Sequence, residues 1–180
     1  MAKSPRVLTV DESRCLACKQ CMTECALAHS DTGNLVDAIR SGQAQPRLHV
    51  EAVGHFGMPI QCRHCEDAPC MAVCPTQAIY RPAPHSPVLL DADRCIGCRS
   101  CMYACPFGVI DMAREGKAVV KCDLCIRRTA KGEEPACVAG CPTKAIQFRE
   151  LDGWLQERRL EAARLAVAAG KKTANPSEAP

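Results

Sequence analysis

Cys95-Ile-Gly-Cys98-Arg-Ser-Cys101-Met-Tyr-Ala-Cys105-Pro106 places four thiols in one short run and closes it on a proline. Three of these thiols, each separated from the next by two residues, can wrap the corners of one small inorganic cube. The fourth leaves the loop where proline fixes the backbone torsion and removes a donor. A cubane 4Fe–4S cluster needs four thiolates arriving from different directions, and in a run ending in Cys-Pro the last cysteine ligates a neighbouring cluster. Such runs therefore operate in pairs, and one run implies companions.

Three companions exist, so the pattern is an internal repeat. Cys15, Cys18, Cys21 and Cys25 keep the compact spacing but lack the proline. Cys62, Cys65, Cys70 and Cys74 widen the middle gap to four residues and end before Pro75. Cys122, Cys125, Cys137 and Cys141 widen it to eleven and end before Pro142. All sixteen cysteines fall into these four groups, which predicts four 4Fe–4S clusters with no three-iron variant. Zinc ribbons join two C-x-x-C knuckles, whereas three close cysteines plus a fourth before proline have no tetrahedral rationale.

The composition agrees. With three Phe, two Tyr and one Trp in 180 residues, the chain lacks the aromatic side chains that usually supply much of a buried core. Cysteine, at about 9% of residues, is the substitute, through ligation and not disulfides in a chain read as intracellular. The residues after Met1 show no apolar export signal and no apolar run approaches the roughly 20 residues of a membrane helix. The expectation is a cytoplasmic protein with no direct membrane insertion. The formal charge of +3 treats each cysteine as neutral; four clusters would carry it to roughly −5. Nucleic acid is not indicated, since no basic run interleaved with aromatics occurs. No glycine-rich nucleotide loop, triad or spare nucleophilic cysteine is present, so the reading is a non-catalytic chain.

The flanks of the groups repeat too. Ile79, Ile110 and Ile146 each lie five residues after a group's last cysteine and predict the start of a short strand. Val7 to Val10, Val88 to Leu90 and Ala118 to Val120 predict strands ahead of groups, with turns at Pro82 to Pro87 and Arg114 to Gly116. The expected fold class is α+β, with short strands, short helices, much loop and a C-terminal helix. Residues 26–58 read as an insertion containing a strand at Arg47 to Val53. Leu151, Trp154, Leu155, Ala162, Leu165, Ala166 and Ala169 share one helical face, predicting a helix over 151–170, with a tail at 171–180.

Near the ligands, His29 either donates to a cluster sulfur or closes its loop, the second reading being preferred. His64 reads as a surface or ligand-flanking residue and not a ligand. Lys19, Arg63, Arg94, Arg99, Lys121, Arg127 and Arg128 adjoin ligands; each either favours the reduced cluster and raises its potential or belongs to a solvated face.

Cys62-Arg-His-Cys-Glu-Asp-Ala-Pro-Cys70, Asp93-Arg-Cys-Ile-Gly-Cys98 and Lys121-Cys-Asp-Leu-Cys125 resemble the four-cluster electron-transfer subunits of the dimethyl sulfoxide reductase type, over about Val10 to Phe148. The resemblance implies two ferredoxin-like double-cluster modules, 1–25 with 115–150 and 59–114. It also implies four ligand sets: Cys15, Cys18, Cys21 and Cys141; Cys122, Cys125, Cys137 and Cys25; Cys62, Cys65, Cys70 and Cys105; Cys95, Cys98, Cys101 and Cys74. Sequence order alone permits other pairings. The missing proline after Cys25 and the short chain place it nearer the compact members than the membrane-anchored ones. The implied function is an iron–sulfur relay between a catalytic oxidoreductase subunit, with molybdenum or tungsten favoured, and a further redox partner, in anaerobic metabolism. The alternatives are a freely diffusing polyferredoxin, or the relay of a hydrogenase or carbon monoxide dehydrogenase.

Because ligation replaces the missing apolar core, removing the iron should unfold the chain. Anoxic chelation followed by circular dichroism is expected to show loss of cooperative unfolding. An iron-free chain with a native spectrum would contradict this.

Overall fold

A computed structural model describes residues 4–173. Its strands form four two-stranded ribbons, whose order follows the cysteine repeat. Strand β1 (Arg6–Val10) precedes the first group, and β2 (Leu48–Val53) with β3 (Phe56–Gln61) forms a hairpin leading into the second. After the second group β4 (Ile79–Tyr80) pairs antiparallel with β5 (Leu89–Leu90), which enters the third. After the third, β6 (Asp111–Met112) pairs antiparallel with β7 (Val119–Val120), which enters the fourth. After the fourth, β8 (Ile146–Glu150) pairs with β1 and closes the cycle. Each gap between consecutive groups is thus spanned by one ribbon, and the fold is α+β with little sheet.

The helices are short because the cysteine loops dictate where they start. Helix α1 (Gln20–Ala28) and α4 (Ser100–Ala104) begin directly after a left-handed residue, Lys19 or Arg99, with no side-chain cap. On α1, Cys21 and Cys25 lie one turn apart on the buried face. Helix α2 (Leu35–Arg40), in the region read as an insertion, is started by Asn34, whose side chain accepts from the Val36 and Asp37 amides at 2.9 and 3.3 Å. Helices α3 (Pro69–Ala72), α5 (Ile126–Thr129) and α6 (Ala136–Ala139) carry or adjoin cysteines of the second and fourth groups.

Two apolar clusters divide the cysteines between them. One joins Cys21 and Cys25 to Cys137, Leu48, Val138 and Ile146. The other joins Cys70 and Cys101 to Ile79, Val88, Ile110 and Val119. First and fourth groups therefore share one core, and second and third the other. Ile79 and Ile146 open their strands; Ile110 is buried one residue ahead of β6. The sequence reading missed β3 and α2, and Leu48 shows that part of the insertion packs into the first core.

The chain divides into two units, one spanning Leu8–Phe148 and holding all the cysteines. The other comprises, among described residues, 4–7 and 149–173. In it helix α7 (Leu151–Thr173) is tied by the Leu151 amide to the Pro5 carbonyl at 2.9 Å and by the Asp152 amide to Ser4 Oγ at 3.2 Å. Only Leu151 and Trp154 of its expected apolar face are half-buried; Leu155 and Leu165 are exposed. Of the expected tail, residues 174–180 lie outside the described residues.

Gly97 shows how tightly the loops are wound. It sits at φ +67°, and a Cβ there would come within 2.8 Å of the Lys117 carbonyl oxygen. Gly97→Ala should therefore destabilise the holo-protein by about 2 kcal/mol. Gly132 at φ +83° faces open space, so Gly132→Ala should cost only about 1 kcal/mol. Anoxic denaturant unfolding measures both, and equal effects would contradict the steric argument.

Candidate metal centre

The four loops share an unusual backbone. The residue before the second cysteine of every group has positive φ: Ala17 at 53°, His64 at 50°, Gly97 at 67° and Leu124 at 55°. The third residue after each Cys-Pro cysteine does the same, at Gln77 (52°), Gly108 (60°) and Lys144 (54°). Of nine non-glycine residues with positive φ among the described residues, all but His85 belong to or flank a cysteine group. Each costs about 1 kcal/mol or more. Such turns point successive N–H groups to one side and form concavities suited to an anion. The strain is repaid only if the thiols converge on something that binds them.

They do converge. Cys62, Cys65, Cys70 and Cys105 line one cleft, with Val88 and Ile110. Cys74, Cys95, Cys98 and Cys101 line another. A third is lined by Cys25, Cys122, Cys125 and Cys137 together with Leu48 and Gln61. Burial pushes the Cys21 thiol up to about 11, and the charges adding to that rise come from Cys141, Cys18 and Cys15. Those four share one neighbourhood. Burial likewise raises Cys101 to about 11, with Cys70, Cys95 and Cys98 adding to it, and raises Cys137, with Cys122, Cys25, Cys125 and Cys21 adding to it. Thiols crowded together in fours, seven of the sixteen of them buried, with strained backbone around them, fit 4Fe–4S clusters, which take thiolates as their ligands.

Three thiols run the other way. Burial raises Cys74 and Cys141, but the Ile79 amide and Thr76 hydroxyl for the first, and the Ile146 amide and Thr143 hydroxyl for the second, outweigh it. Thr76 Oγ1 and Thr143 Oγ1 lie 3.8 Å from their sulfurs. The Ser100 amide and hydroxyl lower Cys98. Hydrogen bonds of this kind stabilise negative charge on a ligand sulfur and tune a cluster's potential.

One charged network lay beyond the sequence reading. His29 Nδ1 donates to the Cys25 carbonyl at 2.7 Å and Nε2 donates to Asp123 Oδ1 at 3.0 Å. Both ring nitrogens face acceptors, so the ring is an imidazolium. Burial alone would lower its pKa, but Asp123, with Cys125 and Cys25 beside it, pushes it up to about 12. Asp123 Oδ2 accepts from Arg47 at 2.8 Å and Oδ1 from the Cys125 amide at 2.9 Å. Burial works to raise the Asp123 carboxyl, yet His29 and Arg47 hold it at about 2. The Arg47 amide, from the insertion, also donates to Cys25 Sγ at 3.3 Å. His29 thus closes its loop through a carboxylate placed between Cys122 and Cys125, and its Nδ1 also lies 3.7 Å from Cys25 Sγ, so both roles read for it have a contact. A carboxylate inside a cysteine loop was the available signal for Asp123; nothing in sequence order pointed to Arg47. His29, Asp123 and Cys125 bring ligand atoms within 4.8 Å of one another, but these are the flank of the thiol cleft.

His64 lies half-buried, lining the cleft of Cys62 and Cys70. The Val88 amide donates to its Nδ1 at 3.0 Å, which leaves the ring proton on Nε2. That nitrogen is buried without a partner among the described residues. Burial first and the Lys121 charge second hold His64 down at about 3, so the ring is neutral. An orphaned N–H beside four thiols calls for an acceptor that the chain itself does not supply. The flanking cations separate clearly: Lys19, Arg63, Arg94, Arg99 and Arg127 are exposed, Arg128 pairs with Glu133 at 3.1 Å, and Lys121 is buried.

Comparison with known proteins agrees with this geometry. The family profile of the 4Fe-4S dicluster domain matches residues 53–151. The "Iron-sulfur protein" of Rhodospirillum rubrum is 37% identical over 161 residues, 82% of this chain and 84% of the relative. The "Thiosulfate reductase electron transfer subunit PhsB" of Salmonella typhi is 38% identical over 148 residues, covering 81% of this chain and 76% of its own. "Protein NrfC" of Escherichia coli is 36% identical over 143 residues, covering 79% of this chain and 64% of its own. Among the described residues no helix is long and apolar enough to cross a membrane.

Asp123→Asn leaves His29 and Arg47 without their half-buried counter-charge. It should destabilise the holo-protein by about 2 kcal/mol, read in anoxic denaturant unfolding. An unchanged midpoint would mean the network contributes nothing.

Proposed function

This chain belongs to the 4Fe–4S dicluster family and carries four such clusters, and from that premise we propose that it is the electron-transfer subunit of an oxidoreductase complex. Its ligand sets are taken to be Cys15, Cys18, Cys21 and Cys141; Cys122, Cys125, Cys137 and Cys25; Cys62, Cys65, Cys70 and Cys105; and Cys95, Cys98, Cys101 and Cys74. What supports this partition is that each set lines one cleft or shares one charge neighbourhood. The first and second sets form one module and the third and fourth the other, matching the two apolar cores.

What supports the relay reading is the closeness of neighbouring sets. Cys21, Cys25 and Cys137 share one apolar core across the first two, and Cys70 and Cys101 share the other across the last two. The exposed cysteines, Cys18 and Cys98, fall one in each outer set. When bound, the clusters supply one-electron stations, and tunnelling fades steeply with distance, so a series with both ends at the surface suits exchange between two proteins. The chain's own residues position the thiols, exclude water with Ile79, Val88, Ile110 and Ile146, and set the charge around each sulfur.

The catalytic partner is proposed to be a molybdenum or tungsten enzyme, with a separate redox protein at the other end. This finer reading is family analogy, as are anaerobic metabolism and a cytoplasmic location; the last is supported by thiol ligation without disulfides. Anoxic purification from native cells should recover the chain with a larger subunit containing molybdenum or tungsten. Nickel in that subunit would favour a hydrogenase or carbon monoxide dehydrogenase, and a chain running alone would favour the freely diffusing polyferredoxin.

The ligand sets have their own test. Cys25→Ala should damage the cluster on Cys122, Cys125 and Cys137 and leave that on Cys15, Cys18 and Cys21 intact in electron paramagnetic resonance. The opposite loss would contradict the partition.

A further inference from the structure

Among the described residues, Lys121 is the cation beside the ligands that the fold has most fully taken out of water: it is 3% exposed. Among the described residues no carboxylate lies within ion-pair distance of it. Its Nζ donates instead to two backbone carbonyls, those of Val88 and, at 2.8 Å, Cys122. Val88 lines the cleft of Cys62, Cys65, Cys70 and Cys105, whereas Cys122 lines that of Cys25, Cys125 and Cys137. The ammonium therefore lies where the two inner ligand sets meet. An ammonium taken out of water without a counter-charge carries a large desolvation cost, which only anionic surroundings offset.

We propose that Lys121 is the shared counter-ion of the two inner 4Fe–4S clusters, holding a fixed positive charge between the modules that raises the potentials of both. The proposal rests on the ligand sets given above. Two thiolate-ligated clusters supply the anionic surroundings that a buried ammonium requires, and the ammonium in turn favours the more negative, reduced state of each. An electron on either side of the module boundary then meets the same charge, which shifts the two inner stations in the same direction.

The surroundings support this assignment. Val88 also joins Lys121 to His64: its carbonyl accepts from Nζ while its amide donates to Nδ1. Val88 thus both holds the lysine and leaves the ring proton on the His64 nitrogen that has no partner among the described residues. Arg81 is the competing cation. It donates to the Cys65, His64 and Ser86 carbonyls, but it is half-exposed and, of the cysteine loops, holds that of Cys62 and Cys65 alone, so its charge is screened.

The test is a redox titration of the full-length holo-protein followed by electron paramagnetic resonance, with four clusters verified by iron and sulfide content. In Lys121→Met the midpoint potentials of two clusters should fall and the other two should stay. The two that fall must include the cluster whose signal Cys25→Ala removes. Lys121→Arg keeps the charge and should hold both potentials near their original values, which a packing role would not require. A fall in none, in one or in all four, or a falling pair that excludes the Cys25-dependent cluster, overturns the proposal. If Lys121→Met loses iron, Lys121→Gln, a neutral donor, takes its place. If both neutral variants lose iron, retention of four clusters by Lys121→Arg supports the counter-ion, and loss of iron there too overturns it. The ligand sets are judged separately, by which three cysteines lose their cluster in Cys25→Ala.

Discussion

Sixteen thiols must reach four small volumes, and the backbone meets that demand ahead of its own preferences. Residues such as Ala17, Leu124 and Lys144 adopt left-handed conformations that cost energy wherever they occur. Helices α1 and α4 begin without a side-chain cap because a ligand cysteine fixes where the chain turns. Ribbons of two residues, too short to persist by themselves, are held because each is pinned at both ends by a cysteine group. The apolar side chains around the clefts are few and small, which places cohesion in metal–sulfur bonds more than in packed aromatics.

That dependence explains what could be read from the sequence. Ligand spacing is a local property and survives in one dimension, so the four groups, the isoleucines after them, the turn at Arg114 to Gly116 and the α+β class were all legible. The hairpin partner β3 was not, because its Pro59 and glycine obscure a strand pattern that only pairing with β2 completes. Nor was Arg47, which lies far in sequence from Asp123 and gains meaning only when the insertion folds against the fourth group, nor Gln61, which meets Cys122 only in the folded cleft. The C-terminal helix shows the reverse failure. Its periodicity is present, yet Leu165 and Val167 are exposed, since hydrophobic spacing reports a capacity to pack and not a packing partner.

The electrostatic arrangement follows from the clusters' negative charge. Around one cleft the chain places an imidazolium on His29, a carboxylate on Asp123 and a guanidinium on Arg47, mutually paired and partly shielded from solvent. Near the other inner cleft it places a neutral His64 with an unshared N–H. At the outer sets the polar contacts are hydroxyls and amides, from Ser100, Thr76 and Thr143. The four sites therefore differ in the groups around nearly identical ligand sets, and a relay with graded potentials can be built in this way from one repeated motif.

All of this rests on four cubane clusters bound by sixteen cysteines. Mössbauer spectroscopy of anoxically purified, iron-57-labelled protein, combined with iron and acid-labile sulfide determination, tests that most directly. The account predicts about sixteen iron and sixteen sulfide per chain, all in the 4Fe–4S form. A chain holding about eight iron, or zinc in place of iron, would contradict it.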